Sequence, residues 1–331
     1  MSSARFSRIG YGGTERSARG QDSSATPARA APRPRRRPMR PRMIFLHIPK
    51  TGGATLRSIL LRQFPARAIH VQQHRPQMAG PATDGSRPLA PPPVPAPDAR
   101  ARTQFRAFEA MTEAQRARVL LVVGHYVYGV HEAFPGPSTY VTILRDPVER
   151  ALSLFHYRRT AQGLWMGLEE YLASGVDPEL ENGQTRAIAG AAATPVAGEP
   201  PTHDGMLEAA KRNLSREFAA VCVTERFDDG VALLGREFGW RRIYYLPRNV
   251  SAGRPRTVDV SEEAVGLIRQ RSRADIALHR FATDLFEDRV RRIPDLGARV
   301  ERLRRQNSLY QTVPLAARAV ERLKRTRAAR T

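Results

Sequence analysis

MIFLHIPKTGGATL, residues 43–56, decides the fold. Its first five residues form an apolar run that ends at a glycine-containing turn, the pattern of a buried strand. Beyond the turn, Leu56, Ile59, Leu60 and Phe64 recur at helical spacing, so 54–64 reads as a helix. A strand that passes through such a turn into a helix makes an anion cradle. Gly52 and Gly53 let backbone amides approach a phosphate closely, and the helix directs its unpaired N–H groups and positive dipole end at the same point. Lys50 supplies a full charge, and Thr51 and Thr55 supply hydroxyls. The loop is not a Walker A sequence, because GxxxxGK[ST] is absent and the lysine precedes the glycines. The competing reading is a plain strand-to-helix turn with a surface lysine. Composition weighs against it: of 54 basic residues only Lys50, Lys211 and Lys324 are lysine. A chain that otherwise uses arginine thus places a compact point charge here.

Outward from this unit, VLLVVG (119–124), TYVTIL (139–144), AAVCVT (219–224) and RIYYLP (242–247) read as further strands. Helical spacing is expected over 103–118, 146–160, 206–217, 228–238, 261–272 and 275–292. Strands separated by helices predict an α/β fold with a central parallel sheet flanked by helices in three layers. The helix over 146–160 opens at Asp146-Pro147-Val148-Glu149. There Asp caps, Pro suits the first helical position and Glu falls at the third. Arg145 leaves the preceding strand at the edge where parallel sheets bind ligands. Ser153 lies eight residues on, about two turns at ~3.6 residues per turn. Both suit one phosphate, Arg145 by its fork and Ser153 by its hydroxyl.

Together the two motifs resemble the sulfotransferase superfamily, in particular its glycan-type branch, sulfotransferase family 2, which includes heparan sulfate 2-O-sulfotransferase and bacterial relatives. HIPKTGGATL (47–56) resembles that family's 5′-phosphosulfate loop, with Ala54 in place of a hydroxyl residue, and TILRDPVERALSLFHY (142–157) its 3′-phosphate motif. GHYVYGVH (124–131), ENGQTRAIAG (181–190) and 213–240 are similar to later segments of the family. The resemblance covers about 43–292. It implies a P-loop-like fold and 3′-phosphoadenosine 5′-phosphosulfate (PAPS) as donor, without a metal. It implies in-line sulfuryl transfer to a hydroxyl of a sugar or glycan. The donor residues it implies are Lys50, Thr51, Gly52, Gly53, Ala54, Thr55 and Leu56 in the first motif, with Arg145 and Ser153 in the second.

The acceptor hydroxyl needs a base, and histidine suits neutral pH. His125 follows an apolar strand, emerges at the carboxyl edge and matches the family's catalytic histidine; with Lys50 it makes the expected catalytic pair. His131 is expected on the acceptor, with Asn182, Gln184 and Arg186, whose amides and guanidinium suit sugar hydroxyls and carboxylates. His47 is expected behind the site, and Cys222 as a small buried hydrophobe.

The formal net charge of +22 invites a polyanion- or nucleic-acid-binding reading. Its distribution argues against that. Residues 1–42 carry 11 Arg against Glu15 and Asp22, and residues 297–331 carry 10 Lys or Arg against Glu301 and Glu321. Subtracting these +9 and +8 ends leaves +5 on 43–296. The expected organisation is a disordered basic arm over 1–42, a sulfotransferase domain over 43–296 with a Pro-rich insert at 79–100, and a basic, partly helical segment over 297–331. No apolar run is long enough to span a bilayer and no secretory leader is seen, so the expected location is cytoplasmic. A nucleotide-dependent kinase is disfavoured by the missing Walker A order.

Overall fold

Among the described residues, five strands hydrogen-bond into one sheet of order β2-β3-β1-β4-β5, every neighbouring pair parallel. They are β1 Arg42–Leu46, β2 Ile69–Val71, β3 Leu121–Gly124, β4 Ser138–Leu144 and β5 Phe218–Val223. The computed structural model describes residues 41–72, 103–193, 202–247 and 257–312. The expected N-terminal arm (bar 41–42), the Pro-rich insert and the chain beyond 312 lie outside the described residues.

Successive residues of a strand face opposite sides, and the core divides accordingly. Ile44, Leu46, Val122, Tyr140 and Leu144 pack on one face against α6 (Gly183–Ala189), α7 (His203–Arg216) and α10 (Arg273–Arg291). Met43, Phe45, Val123, Val141 and Ile143 pack on the other against α1 (Gly53–Leu60), α8 (Phe227–Glu237) and α11 (Leu296–Thr312). Because both faces are covered, the strands are continuous apolar runs rather than alternating ones. A third apolar cluster joins α4 (Pro147–Gln162), α5 (Leu168–Ser174) and α9 (Glu262–Arg271). This is the expected three-layer α/β architecture. Among the described residues no helix is long and apolar enough to cross a membrane.

Three elements depart from expectation. RIYYLP is not a strand: its backbone groups are taken by side chains instead of by a neighbouring strand. Gln63 Nε2 donates to Arg242 O at 3.1 Å, Arg62 donates to Tyr244 O, and Asn307 Oδ1 accepts from Tyr245 N at 2.7 Å. The fifth strand is instead the edge strand β2, only three residues long and interrupted by His70. The helix expected over 103–118 breaks into α2 (Arg106–Glu109) and α3 (Glu113–Arg118). The break is a capping box: Thr112 Oγ1 accepts from Gln115 N at 3.2 Å, and Gln115 Oε1 accepts from Thr112 N at 2.8 Å. Finally, α11 carries the packed body past residue 296, burying Leu296, Val300, Leu303 and Asn307.

Candidate functional site

β1 ends in mid-sheet between β3 and β4, so the loop from His47 to Gly52 emerges at the carboxyl edge. Side chains from other segments, and Thr51 of the loop itself, hold its carbonyls. Thr142 donates to Leu46 O at 2.9 Å, Thr51 to Ile48 O at 3.0 Å, Arg150 Nε to Pro49 O at 3.0 Å and Arg145 Nη1 to Lys50 O at 3.2 Å. The Thr224 hydroxyl lies 2.7 Å from Thr51 O. In a planar trans peptide the N–H points away from the C=O of the same unit. With the Pro49, Lys50 and Thr51 carbonyls held, the amides of Lys50, Thr51 and Gly52 are turned to the opposite side. Left-handed residues in such a turn gather neighbouring amides into an anion-binding concavity. Lys50 and Gly52 are left-handed, with φ of 69° and 82°. For lysine that conformation costs about 1–2 kcal/mol, so the position is filled for its charge.

α1 adds to the same cradle. Its internal bonds begin with Thr55 N and Leu56 N, 3.1 and 3.4 Å from Gly52 O. The Gly53 and Ala54 amides come before them and have no carbonyl partner inside the helix. Gly53 has no room for a side chain: a Cβ would stand 2.0 Å from His47 Cδ2. Two residues expected at the donor have side chains engaged elsewhere. The Thr51 hydroxyl is spent on Ile48 O, and Leu56 has its side chain in the core and its amide in the helix. Thr51 therefore offers its amide, and Leu56 offers packing. Thr55 is 6% exposed at the start of α1. The Lys50 Nζ lies 4.5 Å from the centroid of the Tyr157 ring on α4, a cation–π contact.

Arg145 follows the last residue of β4, and Asp146 caps α4 by accepting from Glu149 N at 3.0 Å. The guanidinium of Arg145, 14% exposed, joins the loop at Lys50 O and pairs with Glu149 Oε2 at 3.1 Å. Ser153, two turns along α4, is 8% exposed, and its hydroxyl makes no hydrogen bond among the described residues. Arg150 lies between them and was not singled out by its sequence. It is 3% exposed, bonds Pro49 O, pairs with Glu179 and stands 3.9 Å from Asp275 Oδ2. A buried guanidinium between two carboxylates is a fixed strut for the loop.

His125 leaves β3 beside the loop. Its Nδ1 is 2.7 Å from His47 O, its amide donates to Gln72 Oε1 at 2.7 Å, and its ring lies 4.4 Å from that of His47. A carbonyl oxygen only accepts, so the proton sits on Nδ1, and in the neutral ring Nε2 carries the lone pair. Burial, then the neighbouring His125, Arg57 and Lys50, hold the His47 imidazole well below its ordinary value, so that ring is neutral at pH 7. His131 has the opposite tautomer. The Tyr140 oxygen already accepts from Gly129 N at 3.2 Å and His131 N at 3.1 Å, so its own proton goes to His131 Nδ1, 2.8 Å away. Burial raises the Tyr140 phenol above its ordinary value and keeps it a donor. Tyr140 is the third residue of β4, five residues before Arg145, or about 16 Å of strand at ~3.3 Å per residue. His131 is therefore not brought to the loop.

The 182–186 segment is also rearranged relative to expectation. Asn182 is 3% exposed, and its Oδ1 accepts from Ala274 N and Asp275 N at 2.8 and 3.1 Å, capping α10. Asp275 returns the favour to α6, accepting from Gln184 N at 3.2 Å and from Thr185 N and Oγ1 at 2.7 and 2.8 Å. Gln184 is 0% exposed, with its amide on the main chain of Arg145. Neither Asn182 nor Gln184 is presented to an acceptor; Arg186 alone of the three has a partly exposed side chain. Cys222 is buried, and burial pushes its thiol up to about 12, which makes it inert at neutral pH. Among the described residues no group of three or more His, Cys, Asp or Glu is arranged to hold a metal ion.

Comparison with known proteins follows the same lines. The model of the family described as galactose-3-O-sulfotransferase matches residues 3–321. Among solved structures, a sulfotransferase from Alicyclobacillus acidocaldarius matches at 15% identity and a TM-score of 0.37, over 75% of this chain and 96% of that one. Curated protein sequences return no match. The motifs resemble the heparan sulfate 2-O branch, whereas the matching family model is the galactose-3-O one. With 3–321 of its 331 residues matched, the chain belongs to the galactose-3-O-sulfotransferase family and is a sulfuryl transferase.

Proposed function

We propose that the chain transfers the sulfuryl group of PAPS to a hydroxyl of a sugar or glycan, with His125 as general base. The observation that supports this reading is the His125 Nδ1 bond to the His47 carbonyl, which fixes the tautomer and makes Nε2 the basic nitrogen of the ring. The residues present fit the donor. Amides from Lys50 to Ala54, the Lys50 ammonium and the end of α1 suit its 5′-phosphosulfate, and Arg145 with Ser153 suits its 3′-phosphate. Bound PAPS supplies an activated sulfuryl group and a nucleotide leaving group. Lys50 and the held amides stabilise negative charge that grows on the leaving phosphate, a preorganised arrangement that requires no rearrangement during reaction. His125 Nε2 takes the proton of the acceptor hydroxyl, while the His47 carbonyl keeps the imidazole oriented. Arg186 is the member of its segment suited to an acceptor, and the family's name makes the galactose 3-hydroxyl the first acceptor to try.

The test is incubation of the protein with PAPS and galactose-terminated glycans beside glycans lacking galactose. The expected result is acceptor heavier by one SO3 unit, with adenosine 3′,5′-bisphosphate formed in equal amount. Absence of transfer to any sugar hydroxyl, or nucleotide release unaccompanied by a sulfated product, overturns the reading.

A further inference from the structure

Arg145 stands at a structural discontinuity. The β4–β5 register ends at Leu144 paired with Val223, so Arg145 is the first residue with no strand partner there. Its main-chain groups, partly buried at this edge, still need hydrogen bonds. Gln184 provides both: Oε1 accepts from Arg145 N at 3.0 Å, and Nε2 donates to Arg145 O at 2.9 Å. One side-chain amide thus replaces the missing strand and fixes the backbone from which the Arg145 guanidinium departs.

Gln184 is itself held. It sits in the first turn of α6, whose Gln184 and Thr185 amides are capped by Asp275 of α10, while Asn182 caps α10 in return. Asp275 also faces Arg150, the strut of the Pro49 carbonyl. Hydrogen bonds therefore run from the α6–α10 junction to Arg145, and the Asp275–Arg150 ion pair extends the network to the loop.

We propose that Gln184 is a positioning residue for the donor's 3′-phosphate, acting through the main chain of Arg145 rather than touching nucleotide or acceptor. The inference rests on the assignment of Arg145 to that phosphate. An amide is suited to this task because it offers a donor and an acceptor in one plane, matched to the C=O and N–H of one residue. Neither a carboxylate nor an apolar side chain can serve both.

The experiment measures calorimetric affinities of the whole protein for adenosine 3′,5′-bisphosphate and adenosine 5′-monophosphate. Wild type is compared with Gln184→Met, which keeps the length without the hydrogen bonds, and with Gln184→Asn, which stays polar but is too short to span both groups. The expected result is a loss of about tenfold for the bisphosphate, the scale of one or two neutral hydrogen bonds, with the monophosphate unchanged. A merely structural role would weaken both nucleotides alike, and that outcome, or an unchanged ratio in the variants, overturns the proposal. Should Gln184→Met fail to fold, Gln184→Asn decides by the same ratio. If wild type does not distinguish the two nucleotides, the assignment of Arg145 to the 3′-phosphate fails, and this inference falls with it.

Discussion

Two histidines with the same neighbourhood in sequence have opposite proton placements. His125 gives its Nδ1 proton to a carbonyl and keeps a lone pair on Nε2; His131 receives a proton from Tyr140 and keeps N–H at Nε2. His125→Ala is expected to lower turnover by about 10²–10⁴-fold, the range of a positioned general base, with affinity for adenosine 3′,5′-bisphosphate retained. His131→Ala is expected to keep most of the turnover. Steady-state kinetics beside calorimetry checks both, and an inactive His131→Ala with an active His125→Ala would reverse the assignment. His47 adds a pH dependence. Its folded-state value is held well below the ordinary one, first by burial. Between those two values the unfolded chain binds the proton and the folded chain does not, so stability falls as pH drops below about 6.5. The steepest slope from this one proton is about 1.4 kcal/mol per pH unit. Urea titrations from pH 7 to 5 should show the decline, and His47→Asn should flatten it. That His125 ends a strand was legible from VLLVVG; its tautomer was not, because the His47 carbonyl lies 78 residues away in the chain.

At the scale of the element, local chemistry announced α4 clearly. Asp146, Pro147 and Glu149 occupy the cap and first turn, and Gly163 closes the helix with a φ of 72°. α11 was harder to read. Leu296, Val300, Leu303 and Asn307 lie on one helical face, but arginines surround them, and the sequence placed this basic, partly helical segment outside the domain ending at 296. The structure packs this stripe against α8 and neighbouring side chains. Leu303 is 1% exposed, so Leu303→Ala is expected to cost about 2–5 kcal/mol. A denaturant midpoint shifted down at unchanged slope would verify it; an unchanged midpoint would show that α11 contributes nothing to the folded body. RIYYLP misled for the complementary reason. A β-prone run becomes a strand only when a sheet edge is free to receive it, and here side chains of Arg62, Gln63 and Asn307 take its backbone groups first.

Across the whole molecule, continuous apolar strands covered on both faces make three layers, and the central strand delivers the loop to the carboxyl edge. Much of this is determined by the sequence alone. Apolar runs separated by helical periodicity specify a parallel sheet, and glycines with a rare lysine between strand and helix specify an anion cradle. Those are local signals, since propensity, spacing and turn geometry act over a few residues. What only the tertiary structure decided is which polar groups are spent. Asn182, Gln184 and Thr51 read as free hydrogen-bonding groups in the sequence, yet Asn182 caps a helix, Gln184 completes a strand and Thr51 bonds within its own loop. Arg150, which nothing in the sequence singled out, is a buried strut. The physical reason is that a buried polar group must find a partner, and except within the loop itself the partners here come from segments 29 to 125 residues distant, a separation over which composition and spacing carry no information.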